Sequence, residues 1–364
     1  MRALTSQKDT DGLTRGFLIS GLALIALILL VYGADVFVPL AVAILIWFLI
    51  NAIAAGFKRI PLGGSRLSRP VALALSVAVI LGSSVLVIDL IVRNVSAMST
   101  RRIDFSTSLN PLVDKISEWV GVSNTAVLNK FFDTIGIEQL LGKIVSTTAS
   151  FSGQLGVVTL YVVFLLIEQQ FFDAKLHALI RDDKRRDLVR DILSAIARDV
   201  QKYIWIMTVV SAITAVLSYA VMKWVGLEHL AFWAFLIFIL NFIPTIGSIL
   251  ATALPPLFAL IQFQGFTEAL TLFVAIGIIE MAVGSFLQPK LAGQSLNLSQ
   301  FVVVLSLFVW GAIWGIAGMF LAVPLTVIVM IIFSNFTTTR PVAILLSQDG
   351  NLASLDGPAK KSSG

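Results

Sequence analysis

The chain has 364 residues, 57% of them hydrophobic and only 13% charged, with a mean hydropathy of +0.94 and a formal net charge of +5. Soluble globular chains are about 45–50% apolar and about 25% charged, so these few charges cannot cover a water-exposed surface, and lipid must solvate much of the exterior. Continuous apolar runs exclude a transmembrane barrel, which needs alternating residues, and the absence of cysteine excludes a disulfide framework and a thiolate-bound metal.

What remains is an all-α integral membrane protein, since only helices satisfy every backbone group within one continuous apolar segment. The first runs, Phe17–Tyr32 and Val36–Phe57, meet at Gly33-Ala34-Asp35, which predicts a tight helical hairpin with its tip at the far interface. No cleavage pattern of small residues separates them, so the first run is expected to be retained. A third run covers Val71–Val92. Residues 93–150 are polar and charged, and Leu109, Leu112, Val113, Ile116, Trp119 and Val120 recur at helical spacing. They predict a small extramembrane helical segment. Phe151–Ile167 is the fourth run, and residues 168–202 follow with eight basic and seven acidic side chains. That balance describes a solvated amphipathic helix and argues against nucleic acid as a partner.

Tyr203–Trp224 and Ala269–Leu287 are spanning runs. After each comes an apolar stretch too long for one straight crossing: 231–262 and 301–333, each roughly 48 Å as a single helix against a hydrocarbon core of about 30 Å. The first breaks at Asn241–Gly247 (NFIPTIG), the second at Trp310–Gly318. Each is either a re-entrant hairpin of two half-helices or a long kinked helix. About eight membrane helical segments result on this count. A shift of 69 residues lays Leu227 on Leu296, Phe232 on Phe301, Leu236 on Leu305, Ala253 on Ala322 and Pro255 on Pro324. Spanning helix, polar loop and broken stretch thus occur twice, the layout of an inverted repeat with interrupted segments in matching positions. The expected divisions are membrane helices at 1–92, the extramembrane segment at 93–150, a helix plus charged segment at 151–202, a transport core at 203–333 and a tail at 334–364.

Lysine and arginine set the expected orientation. They crowd the N-terminus (Arg2, Lys8, Arg15), the 58–70 loop and the 168–202 segment, whereas 263–268 has none. Both termini are therefore expected in the cytoplasm, in the inner (plasma) membrane, with 93–150 outside.

Candidate site residues follow from the cost of polar groups in hydrocarbon. Pro244 removes a donor and crowds the carbonyl four residues earlier, so carbonyls near Leu240 and Phe242 are expected to be freed beside Asn241 and Gly247. Half-helix ends present donors at N-termini and acceptors at C-termini, a cradle for a hydroxyl-rich solute or a cation. Glu280 is the one acid deep in a spanning run, and an intramembrane carboxyl is a functional residue by default; the structural alternative is a carboxyl bonded to a backbone carbonyl between helices. Gln288 and Asn297 lie in the polar loop before the second broken stretch and are candidates for solute contact or gating. Pro255, Gly315, Gly318 and Pro324 are candidate hinges and breaks. Asp35 and Asp89 read as interfacial, and the distant His177 and His229 make no metal site. No phosphate-binding glycine loop and no nucleophile–base pair is present, so neither ATP hydrolysis nor another enzymatic activity is indicated, and no cofactor is expected.

The stretches Leu240–Ser248 (LNFIPTIGS), Leu254–Pro256 (LPP), Leu287–Ser295 (LQPKLAGQS) and Gly311 through Ala322–Leu325 (AVPL) carry a resemblance to the AI-2E (autoinducer-2 exporter) family of transporters. It covers about 200–333; the N-terminal part matches in layout alone. The resemblance implies export of a small polar solute or a quorum-sensing signal, or alternatively sodium(cation)/proton antiport. A bilayer, a small solute and H+ or Na+ are the implied partners. Aromatic-rich apolar surface and the 93–150 segment point to a homo-oligomer.

Overall fold

The computed structural model describes residues 21–22, 24–58, 67–100, 154–292 and 297–352. Beyond Thr100, the expected extramembrane segment lies outside them, as do the N-terminal twenty residues, the loop 59–66, Gln294 and Ser295 and the tail from 353. All the extended elements are helical: α1 Ala34–Phe57, α2 Arg69–Thr100, α3 Gln154–Glu168, α4 Phe172–Leu179, α5 Asp183–Val225, α6 Leu230–Leu240, α7 Ile246–Phe263, α8 Phe266–Ala282, α9 Gln288–Ala292, α10 Gln300–Ser334 and α11 Arg340–Leu346. Among the described residues, six helices are long and apolar enough to cross a membrane, or seven if the pair α3 and α4, bent by 68°, forms one span.

The first two runs do not make the expected reversing loop. Helical bonds continue through Gly33, whose N–H reaches the Leu29 carbonyl at 2.8 Å while its own carbonyl accepts from Phe37 at 2.9 Å. Gly33 departs from helical torsions (φ −91°, ψ 13°). A side chain there would press on the Leu29 carbonyl at 2.6 Å and on the Phe37 ring, so glycine permits a bend too tight for other residues. Leu24, Ile25, Leu29 and Tyr32 stay exposed instead of folding back onto α1.

The charged segment and the spanning run after it form one helix, α5, of 43 residues and roughly 64 Å. Its start is fixed by Asp182, whose carboxylate accepts from the Lys184 N–H at 3.0 Å and so satisfies a first-turn donor. Its end is fixed by Gly226 (φ 88°, ψ 26°), with the N–H groups of Gly226 and Leu227 both on the Met222 carbonyl at 3.0 Å, a left-handed glycine cap. The first half packs against α1 and α10, and the second half against α6 and α8. Past Ala282 the next helix widens into a π-segment, Val283–Leu287. Pro289 accounts for it: the ring carries no donor and crowds the carbonyl of Ser285, so the helix absorbs an extra residue just before it.

Both long stretches are hairpins. In the first, the Trp233 ring on α6 lies 5.2 Å from that of Phe258 on α7; along a straight helix they would stand roughly 37 Å apart. In α10 the indole N–H of Trp310 donates to Thr326 Oγ1 at 3.2 Å across a separation of 16 residues, roughly 24 Å in a straight helix. The reversal there is local to Trp314 (φ −126°, ψ 15°) and Gly315 (φ 61°, ψ −140°). The two bases lie at opposite ends of the bundle. Gln262 ties the first to the end of α5, accepting from the Glu228 N–H at 2.7 Å and donating to the Gly226 carbonyl at 3.0 Å. The second is tied through Ser299, whose N–H meets the Leu346 carbonyl at 3.1 Å. It shares a core with the first half of α5 and with α1: Val302, Met330 and Ile331 pack with Val200, Tyr203, Ile204 and Phe48. Antiparallel helices α5 and α8 therefore each lead into a hairpin at their far ends, and the hairpins enter the bundle from opposite sides.

Candidate functional site

The hairpins meet tip to flank. Phe242, in the first turn, stacks on Phe320 of the second hairpin with ring centroids 4.9 Å apart, and Ile243 and Ile246 pack with Leu307, Ala322 and Met319. The first turn is narrow: a Cβ on Gly247 would fall 1.7 Å from the Leu240 carbonyl oxygen. Gly318 stands likewise beside the Trp310 carbonyl, at 1.9 Å. Only hydrogen fits at either place. Thr245 holds the reversal at φ 63°, ψ −59°, a conformation that costs a non-glycine residue about 1–3 kcal/mol and clusters at functional sites.

This turn brings Asn241 to Glu280 of α8, and the Asn241 side-chain amide donates to the Glu280 carboxyl. Asn241 is 9% exposed. Its own Oδ1 and the Glu280 Oε1 are both buried with no hydrogen-bond partner. A buried polar atom without a partner costs a few kcal/mol, and more where no water reaches. Acceptor oxygens in this condition are matched by a cation or by a solute that donates hydrogen bonds.

The sequence-derived residues divide accordingly. Asn241, Pro244, Gly247 and Glu280 come together at the first turn. The freed carbonyl expected at Leu240 is not free, since it accepts the Ile243 N–H at 2.8 Å: the turn tightens around Pro244 and supplies its own donor. Pro255 is buried in α7 and Pro324 in the second hairpin. Gly315 makes the second reversal, and Gly318 is the close-approach glycine that follows it. Gln288 opens α9, beyond the π-segment, its amide on Met207 Sδ at 3.7 Å. Asn297 stands apart: its side-chain amide donates to the Asn351 carbonyl at 2.6 Å and its backbone carbonyl takes the Gln348 N–H at 3.0 Å, so its polar groups hold the C-terminal segment to the hairpin base. Asp89 is paired with Arg93 at 2.7 Å. Among the described residues no group of three or more His, Cys, Asp or Glu side chains could hold a metal ion.

Sequence reasoning passed over α5. Tyr203, Ser211 and Ser218 lie on its buried face, and the oxygens of all three are buried without a partner. Small polar residues recurring along the inner face of a spanning helix were the available signal.

Comparison with known proteins gives this geometry its context. A family model, "AI-2E family transporter", matches residues 18–338. The chain is 28% identical over 339 residues to "AI-2 transport protein TqsA" of Escherichia coli (strain K12), covering 90% of this chain and 94% of that one. It is 26% identical over 318 residues to "Putative transport protein YhhT" of the same organism, covering 86% and 88%. A "Putative transport protein" of Borreliella burgdorferi is 33% identical over 212 residues, 58% of each chain. With the match running through both hairpins and the spanning helices that precede them, this multi-pass membrane protein belongs to the AI-2E family of transporters.

Proposed function

We propose that the protein is a secondary transporter that exports a small polar solute or signalling molecule, with Asn241 and Glu280 at its binding site. The observation that carries this reading is the pair of unpartnered oxygens, Asn241 Oδ1 and Glu280 Oε1, buried where the first hairpin turn meets α8. Opposed hairpins preceded by antiparallel spanning helices are the arrangement through which alternating access works in inverted-repeat transporters. The similarity to a protein named for AI-2 transport supports an autoinducer-2-like cargo. A cation/proton antiporter is the second reading, and a buried carboxyl with an unpartnered oxygen, able to hold either a proton or a cation, favours it.

In the proposed orientation, the end bearing the charged start of α5, Lys290 and Arg340 faces the cytoplasm, because Lys and Arg concentrate there. The C-terminal segment then lies inside, the base of the first hairpin lies outside, and the membrane is the inner (plasma) membrane. The exposed apolar surface also leaves room for a homo-oligomer.

The test is flux into proteoliposomes under imposed proton and sodium gradients, with a panel of small polar solutes, for wild type and Glu280→Gln. Gln keeps the size of the side chain and removes its charge change. Gradient-driven transport is expected to vanish in the variant while it expresses and purifies normally; undiminished gradient-driven flux would remove Glu280 from the site.

A further inference from the structure

The bend at Gly33 leaves a polar group of the preceding helical segment, 24–32, without its helical partner. The Gly33 N–H reaches the Leu29 carbonyl, and the N–H groups of Val36 and Phe37 both reach the carbonyl of Gly33. Among the described residues no backbone N–H takes the Leu30 carbonyl, because the torsions at Gly33 turn the Ala34 N–H away from it. In hydrocarbon a carbonyl in that state is costly and needs a donor from elsewhere.

The donor comes from the other end of the chain. The indole N–H of Trp314 meets the Leu30 carbonyl at 2.9 Å, across a separation of 284 residues. Trp314 stands at the reversal of the second hairpin, next to Gly315 at φ 61°, and α10 lies against α1. One side-chain bond thus ties the tip of this hairpin to the bend, whereas backbone bonds tie its base. From the tip the packing runs inward. The Trp314 ring lies 5.5 Å from that of Trp310. Trp310 packs against the small core of Ile243, Leu307 and Ala322, and Ile243 belongs to the first hairpin turn, two residues after Asn241.

We propose that Trp314 is a positioning residue of the transporter: its bond to the Leu30 carbonyl holds the tip of the second hairpin at the Gly33 bend and, through Trp310, holds the first hairpin turn. Gly33 is the other half of the device. A Cβ there would press on the Leu29 carbonyl at 2.6 Å, so a helix with alanine at this position straightens and gives the Leu30 carbonyl back to the Ala34 N–H. The proposal rests on the reading of Asn241 and Glu280 as the binding site, but it can fail while that reading stands.

The chain has no cysteine, so a single introduced cysteine reports one position. In the full chain in lipid nanodiscs, a nitroxide on Ile316→Cys, an exposed position beside the reversal, reads the second tip. Modification of Ser248→Cys by a charged methanethiosulfonate reads the first turn. Trp314→Phe keeps a ring to pack on Trp310 and loses the N–H. It is expected to raise the mobile fraction of the nitroxide at least twofold and the modification rate at Ser248→Cys at least threefold. Gly33→Ala is expected to do the same, and the double variant to go no further than either single one, since both remove one bond. Wild-type nitroxide mobility in Trp314→Phe overturns the tether. A mobile tip with an unchanged modification rate overturns the hold on the first turn. Additive effects in the double variant overturn the part given to Gly33. A lower melting temperature of Trp314→Phe with both readouts unchanged marks the bond as structural and overturns the proposal. Neither readout uses a solute, so the flux of Glu280→Gln judges the binding-site reading by itself.

Discussion

Asn241, on the turn of the first hairpin, donates its side-chain amide to Glu280 on the following spanning helix. The hairpin and the helix are thereby joined at depth by a polar contact whose remaining oxygens have no protein partner.

That relationship predicts the behaviour of Asn241→Asp. The exchange removes the donor and sets a second carboxyl against the first, where like charges disfavour one another. Gradient-driven flux in proteoliposomes should fall at least tenfold, about 1.4 kcal/mol or more of lost stabilisation, with the yield of folded protein retained. Flux within twofold of wild type would show that the contact has no part in transport.

The close approach of backbone to Gly247 and Gly318 predicts that neither tolerates a methyl group. A Cβ less than 2 Å from a carbonyl oxygen cannot be absorbed by a rotamer change; the turn itself must open. Gly247→Ala and Gly318→Ala should each destabilise by about 3 kcal/mol or more, seen as loss of monodisperse protein or a marked drop in melting temperature. Gly56→Ala is the control, since nothing lies within 4 Å of its added Cβ. It should melt no lower than wild type, because alanine is the better helix former.

The cap at Asp182 makes a narrower prediction. Asp182→Ala leaves the Lys184 N–H unsatisfied at the start of α5 and should cost about 1 kcal/mol. Hydrogen exchange should speed up in the first turn of α5 and remain unchanged through Tyr203–Val225.

Topology can be read from single cysteines at the exposed positions Thr267 and Thr338, next to the bases of the first and second hairpins. The opposed entry of the hairpins requires labelling from opposite sides. With the proposed orientation, Thr267→Cys reacts in intact cells and Thr338→Cys only after permeabilisation. Labelling of both from one side would contradict the opposed arrangement.

Much of this was legible because hydrocarbon punishes exceptions. Breaks at Asn241–Gly247 and Trp310–Gly318 stood out against long apolar stretches, and Glu280 stood out as a lone acid; the folded chain brings Asn241, Gly247 and Glu280 to one place. The residues that escaped notice obey different rules. Ser211 resembles any small residue that lets helices approach, and only its unpartnered burial distinguishes it. Asn297 looked like a solute contact because a polar loop is ambiguous until its partners are known, and those partners lie about fifty residues later, at Gln348 and Asn351. Gly33 reads as a loop in the sequence, yet one bend needs no more than one residue free of Cβ.

The placement of the ties has a mechanical consequence. Each hairpin is clamped at its base, one by Gln262 to the end of α5, the other by Ser299 and Asn297 to the C-terminal segment. A beam clamped at one end deflects most at the other, so compliance is concentrated at the two tips. The first tip presses on the flank of the second hairpin through Phe242 and Phe320. Displacing either beam therefore loads the other, and the pair behaves as opposed levers sharing one bearing surface, at the level where Asn241 touches Glu280.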